Sequence, residues 1–455
     1  MPHRGALYPF QVEGTGQLVA RRSVLLADDM GLGKTIQAAS AMRELFDMGA
    51  VERVLIVCPA SLCRNWRQEV QVWGGVSAVL YEGSSRHGML EGGAKVLIGS
   101  YEVIAADLGS ITKGGTMYAE IGLDLLVLDE AQRIKAPTSA RARCLSHLMA
   151  PRRWAITGTP LENHPRELAS ILRFLHPNEF GTADTLDDYR GIMRYRDLCM
   201  VRRTKDQVDI QLPSCTVSYT PVGMTPEQLA EYEQARDVVR SDVLHASSRQ
   251  VAVTSLLGGL QRLRRVAAIS SSGASAKVDL IEDELEGIVA SGGKAIVFSS
   301  FANLALPVVA RRLERFGSVL FTGAMTGAER HMAHTRFLED DDARVMCAST
   351  QAAGVGITWT VAQYVFHLDL WWNPQVLRQA EDRAHRIGQV RPVNVKRLVA
   401  EGTVDEGIVR LLAAKEGIFD LLIGGGQDAR GQDPDLSSLL QLVGLRLGDV
   451  TAGDS

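Results

Sequence analysis

No run of about 18 uninterrupted apolar residues occurs in the chain, so the sequence offers no candidate membrane-spanning helix. Its opening, MPHRGALYPF, has no long apolar stretch of the kind a secretory signal requires. Cysteine is scarce. The six residues Cys58, Cys63, Cys144, Cys199, Cys215 and Cys347 include no CxxC pair, and no histidines stand at zinc-finger spacing, which speaks against a structural metal and for reduced, mostly buried thiols. An excess of positive charge is also missing. A formal net charge of −4 excludes a surface that is basic all over, as in simple DNA coaters, but leaves room for a basic cleft. The short clusters at Arg152-Arg153, Arg202-Arg203 with Lys205, Arg262 with Arg264-Arg265, and Arg311-Arg312 read singly as solvated faces. No fixed-period repeat of the solenoid kind is present. What remains is a 455-residue chain with 46% hydrophobic and 22% charged residues, the profile of a soluble protein of the cell interior with two or three domains.

Several short apolar runs without polar alternation end in Gly, Pro, Ser, Thr or Asp, the pattern of parallel strands buried on both faces. In the first half these are 23–27, 53–59, 95–100, 124–130 and 153–160; in the second, 294–300, 318–323, 344–350, 363–369 and 394–399. Stretches with helical spacing lie between them, so each half predicts a βα-repeating open sheet. The fold class is therefore α/β with two lobes. The boundaries run 1–205 for the first lobe, 206–275 for a helical connection, 276–422 for the second lobe and 423–455 for a flexible tail carrying a short helix.

The order of strand SVLLA, loop DDMGLGKT and amphipathic run TIQAASAMRELF is what a phosphate cradle needs. Gly31 and Gly33 let the backbone approach an anion, and the N–H groups of the following helix start point at it. Lys34 reaches the β and γ phosphates of a nucleotide, and the Thr35 hydroxyl ligates Mg²⁺. The first glycine of the usual phosphate-loop pattern falls at Asp28, and a chance Gly-Lys-Thr in a surface turn is the bland alternative. The run LLVLDEAQ carries Asp129 and Glu130 to the carboxyl edge of a sheet, where ligands bind in open α/β folds. There Asp129 holds Mg²⁺ and Glu130 polarises the attacking water. An acidic pair that merely caps a helix is the competing reading. Together with the glycine loop, the pair predicts ATP hydrolysis with ATP and Mg²⁺ as ligands.

The segments LYPFQ (7–11), DDMGLGKT, VCPASLCRNW (57–66), DEAQRIK (129–135), TGTPLEN (157–163), MVRRTKDQV, KAIVFSSF (294–301), STQAAGVGIT (349–358), DLWWNP (369–374) and QAEDRAHRIGQ (379–389) occur in the order found in the Swi/Snf-type ATPases of helicase superfamily 2, which the chain resembles from about residue 7 to 422. The resemblance implies two tandem RecA-like lobes. It implies nucleotide contacts at Gln11, Asp29, Met30, Gly31, Leu32, Gly33, Lys34, Thr35, Gly356 and Gln379, and catalytic roles for Lys34, Asp129, Glu130, Gln132, Arg383 and Arg386. It further implies DNA contacts at Pro59, Asn65, Trp66, Ser100, Thr322, Gly323 and Trp372. An acidic pair ahead of Met-Gly-Leu-Gly is usual in that family. Asp28 and Asp29 then turn from the phosphates toward basic groups or backbone N–H, or brace the loop against the other lobe. Gln132 stands where the family more often has His.

In the second lobe, QAEDRAHRIG predicts a helix that places Gln379, Arg383 and Arg386 on one face, from which two guanidinium groups reach the γ-phosphate as arginine fingers. Surface salt bridges are the alternative for these arginines. Trp371 and Trp372 cannot both point into one strand's core face, so one is available either to nucleic acid or to other packing. The resemblance is closest to the fork-remodelling, strand-annealing branch, and the expected activity is a DNA-dependent ATPase that translocates on double-stranded or branched DNA and acts on a DNA-bound protein target. A strand-separating DNA or RNA helicase and a nucleotide-regulated, non-catalytic clamp are the alternatives. Because LYPFQ begins at residue 7, no accessory domain is expected ahead of the first lobe, nor a chromatin-reading or zinc module after the second. A compact bacterial or phage protein, cytoplasmic and nucleoid-associated, is expected over a nuclear remodeller.

Overall fold

The computed structural model describes residues 6–84, 86, 88–91, 93–111, 122–134, 140–146, 148–158, 165–177, 189–208, 212–351, 357–423, 440–441 and 443–445. The chain forms two compact units, Met1–Ile210 with Leu422–Gly425, and Gln211–Leu421 with Gly426–Ser455. Among the described residues no helix is long and apolar enough to cross a membrane.

In chain order the strands are β1 (Ser23–Leu26), β2 (Val54–Cys58), β3 (Ala78–Tyr81), β4 (Val96–Ser100), β5 (Leu125–Asp129), β6 (Arg152–Ile156) and β7 (Met200–Val201) in the first unit. The second holds β8 (Cys215–Val222), β9 (Ala295–Ser299), β10 (Ser318–Phe321), β11 (Val345–Ser349), β12 (Tyr364–His367) and β13 (Val393–Ala400). They build two open sheets, β3-β4-β2-β5-β6-β1-β7 and β10-β11-β9-β12-β13-β8. All pairings are parallel, and helices connect the strands. The expected two α/β lobes are present, and every apolar run expected as a strand carries one.

The second sheet shows why those runs lack polar alternation. Ala295 and Val297 of β9 join one apolar cluster with Val345, Cys347 and Phe366. Ile296 and Phe298, pointing the other way, join a second cluster with Met346, Ala348 and Val365. Both faces are covered, so both sets of side chains must be apolar. Each large one contributes roughly 1.5–3 kcal/mol by leaving water.

In the first sheet, register fixes where the loops meet. Leu26 of β1 and Asp129 of β5 both pair with Ile156 of β6, Val201 of β7 pairs with Leu26, and Val57 of β2 pairs with Leu128. The residues that follow β1, β5 and β6 therefore emerge side by side on the carboxyl edge.

The segment 206–275 is more than a helical connection. Its β8 pairs with β13 along eight residues, from Cys215 opposite Val393 to Val222 opposite Ala400. Helices Pro226–Leu244 and Arg249–Ala268 follow and share an apolar cluster with Ala400 and Val404. Gly259 permits their close crossing, because a Cβ there would lie 2.4 Å from Val239 Cγ1. Leu440, Val443 and Leu445 pack into the same cluster, so the short apolar patch near the C-terminus docks on this helix pair; residues 424–439 and 446–455 of the expected tail lie outside the described residues.

Candidate active site

The phosphate loop joins β1 to helix Lys34–Asp47. Gly33, at the helix start, has φ +74°, a conformation that glycine adopts without the Cβ penalty. A Cβ there would also meet the Gln11 amide nitrogen at 2.5 Å. That amide donates to the Leu32 carbonyl (3.1 Å), and its oxygen accepts from the Tyr8 N–H (3.0 Å). Gln11 is thus fastened to the loop that the sequence assigned it to. The Lys34 ammonium donates to the carbonyls of Asp28 (2.8 Å) and Asp29 (3.2 Å). Burial holds it below the usual lysine range, opposed by the charges of Glu130, Asp28, Asp129 and Asp29. Thr35 follows in the first turn of the helix, and Met30, Gly31 and Leu32 complete the loop.

The carboxylates that open the loop point away from it. Asp28 is fully buried. It accepts from the Arg203 backbone N–H (3.0 Å), Nε (3.0 Å) and Nη2 (2.8 Å), and from the Gln37 amide (3.0 Å). Asp29 accepts from the Lys205 N–H (3.1 Å) and pairs with Arg202 at 3.5 Å. Both therefore brace the loop against residues 202–205 of the same unit. Arg203 also donates to Gln37 Oε1 (3.0 Å) and the Phe10 carbonyl, with its guanidinium over the Phe10 ring. One arginine joins the first helix, the phosphate loop and the helix after it. The sequence flagged this residue only as part of a basic cluster; the overlooked signal was a buried-strand neighbour, Asp28, that required a cation.

At the end of β5, Asp129 accepts from the Trp66 indole N–H (2.7 Å) and from the Glu130 backbone N–H (2.9 Å). Burial, and next the charge of Glu130, push its carboxyl up to about 7, against the pull of these two donors and of Lys34. Tyr101 donates to the Asp129 carbonyl at 2.8 Å. Glu130 has φ +51° and is the one non-glycine residue with positive φ among the described residues, a strained backbone of the sort held at functional sites. Its carboxylate accepts from the Gln132 amide (2.7 Å), whose oxygen accepts from the Thr157 hydroxyl (2.7 Å). Lys34, Asp129, Glu130 and Gln132 are accordingly gathered at one sheet edge. Among the described residues no three His, Cys, Asp or Glu side chains gather as a metal-holding group. Asp129 offers a cation a carboxylate oxygen, a hard donor that fits Mg²⁺ completed by water and phosphate oxygens.

Trp66 corrects one expectation. It is wholly buried and touches the acidic strand end, so it positions Asp129 and cannot lie against DNA. Pro59, Ser100 and Thr322 are also buried, with the Ser100 hydroxyl accepting from the Val103 N–H at 3.2 Å. Asn65 is half-buried and Gly323 exposed.

In the second unit the expected helix face is absent. The helix runs only from Pro374 to Glu381, and Arg383 and Arg386 stand in the turns beyond it, with Gln379 alone on the helix. The backbone tightens there: the N–H groups of Arg383 and Ala384 bond three residues back, to the Ala380 and Glu381 carbonyls (3.1 and 3.0 Å), while the Gln379 carbonyl accepts from the Arg383 Nε (3.2 Å) and the Arg383 carbonyl from the Trp359 N–H (2.7 Å). Glu381 anchors the helix end. It accepts from Arg397 at 3.0 and 3.2 Å. Burial would raise its carboxyl, but His367 beside it and the Arg397 charge hold it down to about 2. Arg383, 8% exposed, donates to the carbonyls of Gln379 (3.2 Å) and Ile357 (3.2 Å); Arg386 is half-buried. Gly356 lies outside the described residues.

Trp371 and Trp372 flank Arg264, which the sequence placed in a solvated basic cluster and which the structure buries completely. The Arg264 guanidinium lies 5.1 and 5.0 Å from their ring centres and 5.4 Å from that of Phe301. It donates to Asp369 (2.9 Å) and to the Leu370 carbonyl. Both tryptophans pack around this cation and remain half-buried.

A family model described as "SNF2-related domain" matches residues 16–270, and one described as "Helicase conserved C-terminal domain" matches residues 276–388. Protein CHROMATIN REMODELING 4 of Arabidopsis thaliana is similar at 29% identity over 99% of this chain and 22% of its own. The putative ATP-dependent helicase/translocase YwqA of Bacillus subtilis is similar at 28% identity over 92% of this chain and 49% of its own. The chain thus spans about a fifth to a half of the length of these curated relatives. Among solved structures, the Sulfolobus solfataricus SWI2/SNF2 ATPase core in complex with dsDNA is similar at 25% identity and a TM-score of 0.45, over 93% of this chain and 94% of that one.

Proposed function

The chain belongs to the SNF2-related domain family, and from that premise we propose that it hydrolyses ATP to move along double-stranded DNA. The observation that carries this reading is the gathering of Lys34, Asp129 and Glu130 at one sheet edge, with Glu130 held by Gln132. Lys34 leaves the loop carbonyls for the β and γ phosphates of the nucleotide. Thr35 and Asp129 would hold Mg²⁺, which would supply charge neutralisation at the phosphates when bound. Glu130 takes the proton of the attacking water. Arg383 and Arg386 are the proposed arginine fingers, which would bring positive charge to the transferring phosphoryl group. Trp372, the helix residue Asn65 and the loop residue Gly323 are the proposed DNA-backbone contacts, and branched DNA is the proposed biological substrate.

The test is the ATPase rate with no nucleic acid and with duplex, forked and single-stranded DNA and RNA. Duplex DNA should stimulate more than RNA, and the stimulation should fall log-linearly as salt rises, because phosphate contacts release counterions. Displacement of a triplex strand should accompany it. Equal stimulation by RNA together with unwinding of a blunt duplex would replace the translocase with a strand-separating helicase.

A second expectation concerns Trp66. Its replacement by phenylalanine keeps an aromatic ring in the buried site but deletes the N–H that orients Asp129, so activity at limiting Mg²⁺ should fall about ten- to hundred-fold, the usual effect of losing a partner that orients a metal ligand. Titrating Mg²⁺ in the ATPase assay checks this. An unchanged Mg²⁺ curve would remove Trp66 from the site.

A further inference from the structure

The sulfurs of Cys58 and Cys63 lie 3.5 Å apart. Cys58 ends β2, one strand from Asp129, and is fully enclosed; Cys63 is the first residue of helix Cys63–Val72 and is 7% exposed. Its sulfur also reaches the Pro59 carbonyl at 3.7 Å. A helix start favours the thiolate, and the bond from the Cys58 thiol holds Cys63 below the usual cysteine range while Cys58 is pushed far above it. Burial pushes Cys199 and Cys347 up to about 12, which disfavours their reaction. One thiol is therefore poised as nucleophile with a second in contact to resolve it.

We propose that Cys58 and Cys63 form a reversible disulfide on exposure to a hydroperoxide, and that its closure disables the neighbouring acidic site. The Cys63 thiolate attacks a peroxide oxygen, the O–O bond breaks, and Cys63 becomes a sulfenic acid while the other oxygen leaves as water or an alcohol. The Cys58 sulfur then attacks that of Cys63, the S–O bond breaks and water leaves. With hydrogen peroxide, two thiols and one peroxide give one disulfide and two waters, the sulfurs supplying the two electrons.

A disulfide needs the sulfurs at about 2.05 Å, so they must approach by roughly 1.5 Å. β2 is hydrogen-bonded on both sides, to β4 and β5, which leaves the helix start to move. Trp66 sits three residues along that helix, and its 2.7 Å bond to Asp129 does not survive a displacement on the ångström scale. This consequence rests on the ATPase reading; formation of the disulfide does not.

The experiment treats the full chain with hydrogen peroxide, blocks remaining thiols with an alkylating agent, and maps the cysteines by mass spectrometry beside the ATPase rate. The expected result is a Cys58–Cys63 linkage lacking two hydrogens, a loss of turnover of about ten-fold, and recovery with dithiothreitol. Cys63→Ala and Cys63→Ser should keep the activity of the reduced protein and resist peroxide. Failure to find the linkage while other cysteines oxidise would overturn the proposal, as would equal inhibition of both variants. A linkage that leaves turnover unchanged would overturn its coupling to Asp129. A reduced protein without ATPase activity would instead refute the ATPase reading, with the linkage still decided by mass.

Discussion

Alanine at Arg383 or at Arg386 is expected to lower kcat about a thousand-fold while ATP affinity stays within a few-fold of the parent, because arginine fingers act on the charge that develops in the transition state. The two variants are not equivalent. Arg383 is tied to the Gln379 and Ile357 carbonyls, so its loss also loosens the turn that carries both residues. Arg386, half-buried in the same turn, gives the cleaner reading. Arg386→Lys should not restore the rate, since an ammonium cannot reproduce a planar two-pronged contact. Single-turnover rates and equilibrium ATP binding separate the effects. An unchanged kcat in both alanine variants would mean that these arginines do not complete the site.

Glu130→Gln should depress turnover by about 10²–10⁴, the range for losing a general base, with ATP still bound. The substitution is nearly isosteric, and a glutamine oxygen at position 130 can still accept from the Gln132 amide, so the strained turn at this residue is kept. Lys34→Ala should also stop turnover, but by weakening the phosphate site itself. Comparing nucleotide binding in the two variants distinguishes a chemical from a binding defect. Near-parental hydrolysis by Glu130→Gln would assign proton abstraction to another group.

The fold was legible where burial is two-sided. Continuous apolar runs such as LLVLD and AIVFS became central strands because helices cover both faces. Strand β8 escaped because it is an edge: in CTVSYTPV, residues 216–219 are exposed, and its half-polar pattern looks like a loop. β7 has two residues and no periodicity to read. At the site, the glycine loop and the Asp129-Glu130 pair were visible because their chemistry is local in sequence. Trp66 was misread because its partner lies 63 residues away, and spacing says nothing about a contact made through the sheet. The arginine helix failed for a similar reason: the Gln379 carbonyl accepts from the Arg383 side chain, and the turn is held by Ile357 and Trp359, whose nearness only the tertiary fold creates.

The amide at position 132 gives the Glu130 relay a fixed polarity. A carboxylate only accepts, so the Gln132 nitrogen must face Glu130 and its oxygen must face Thr157. An imidazole in that place would offer two tautomers and a charge change near pH 6.5. The glutamine offers neither. In this chain the link between the proposed water-activating carboxylate and the threonine after β6 is a hinge pin without a titratable group, so the orientation of the amide is set by its partners and not by pH.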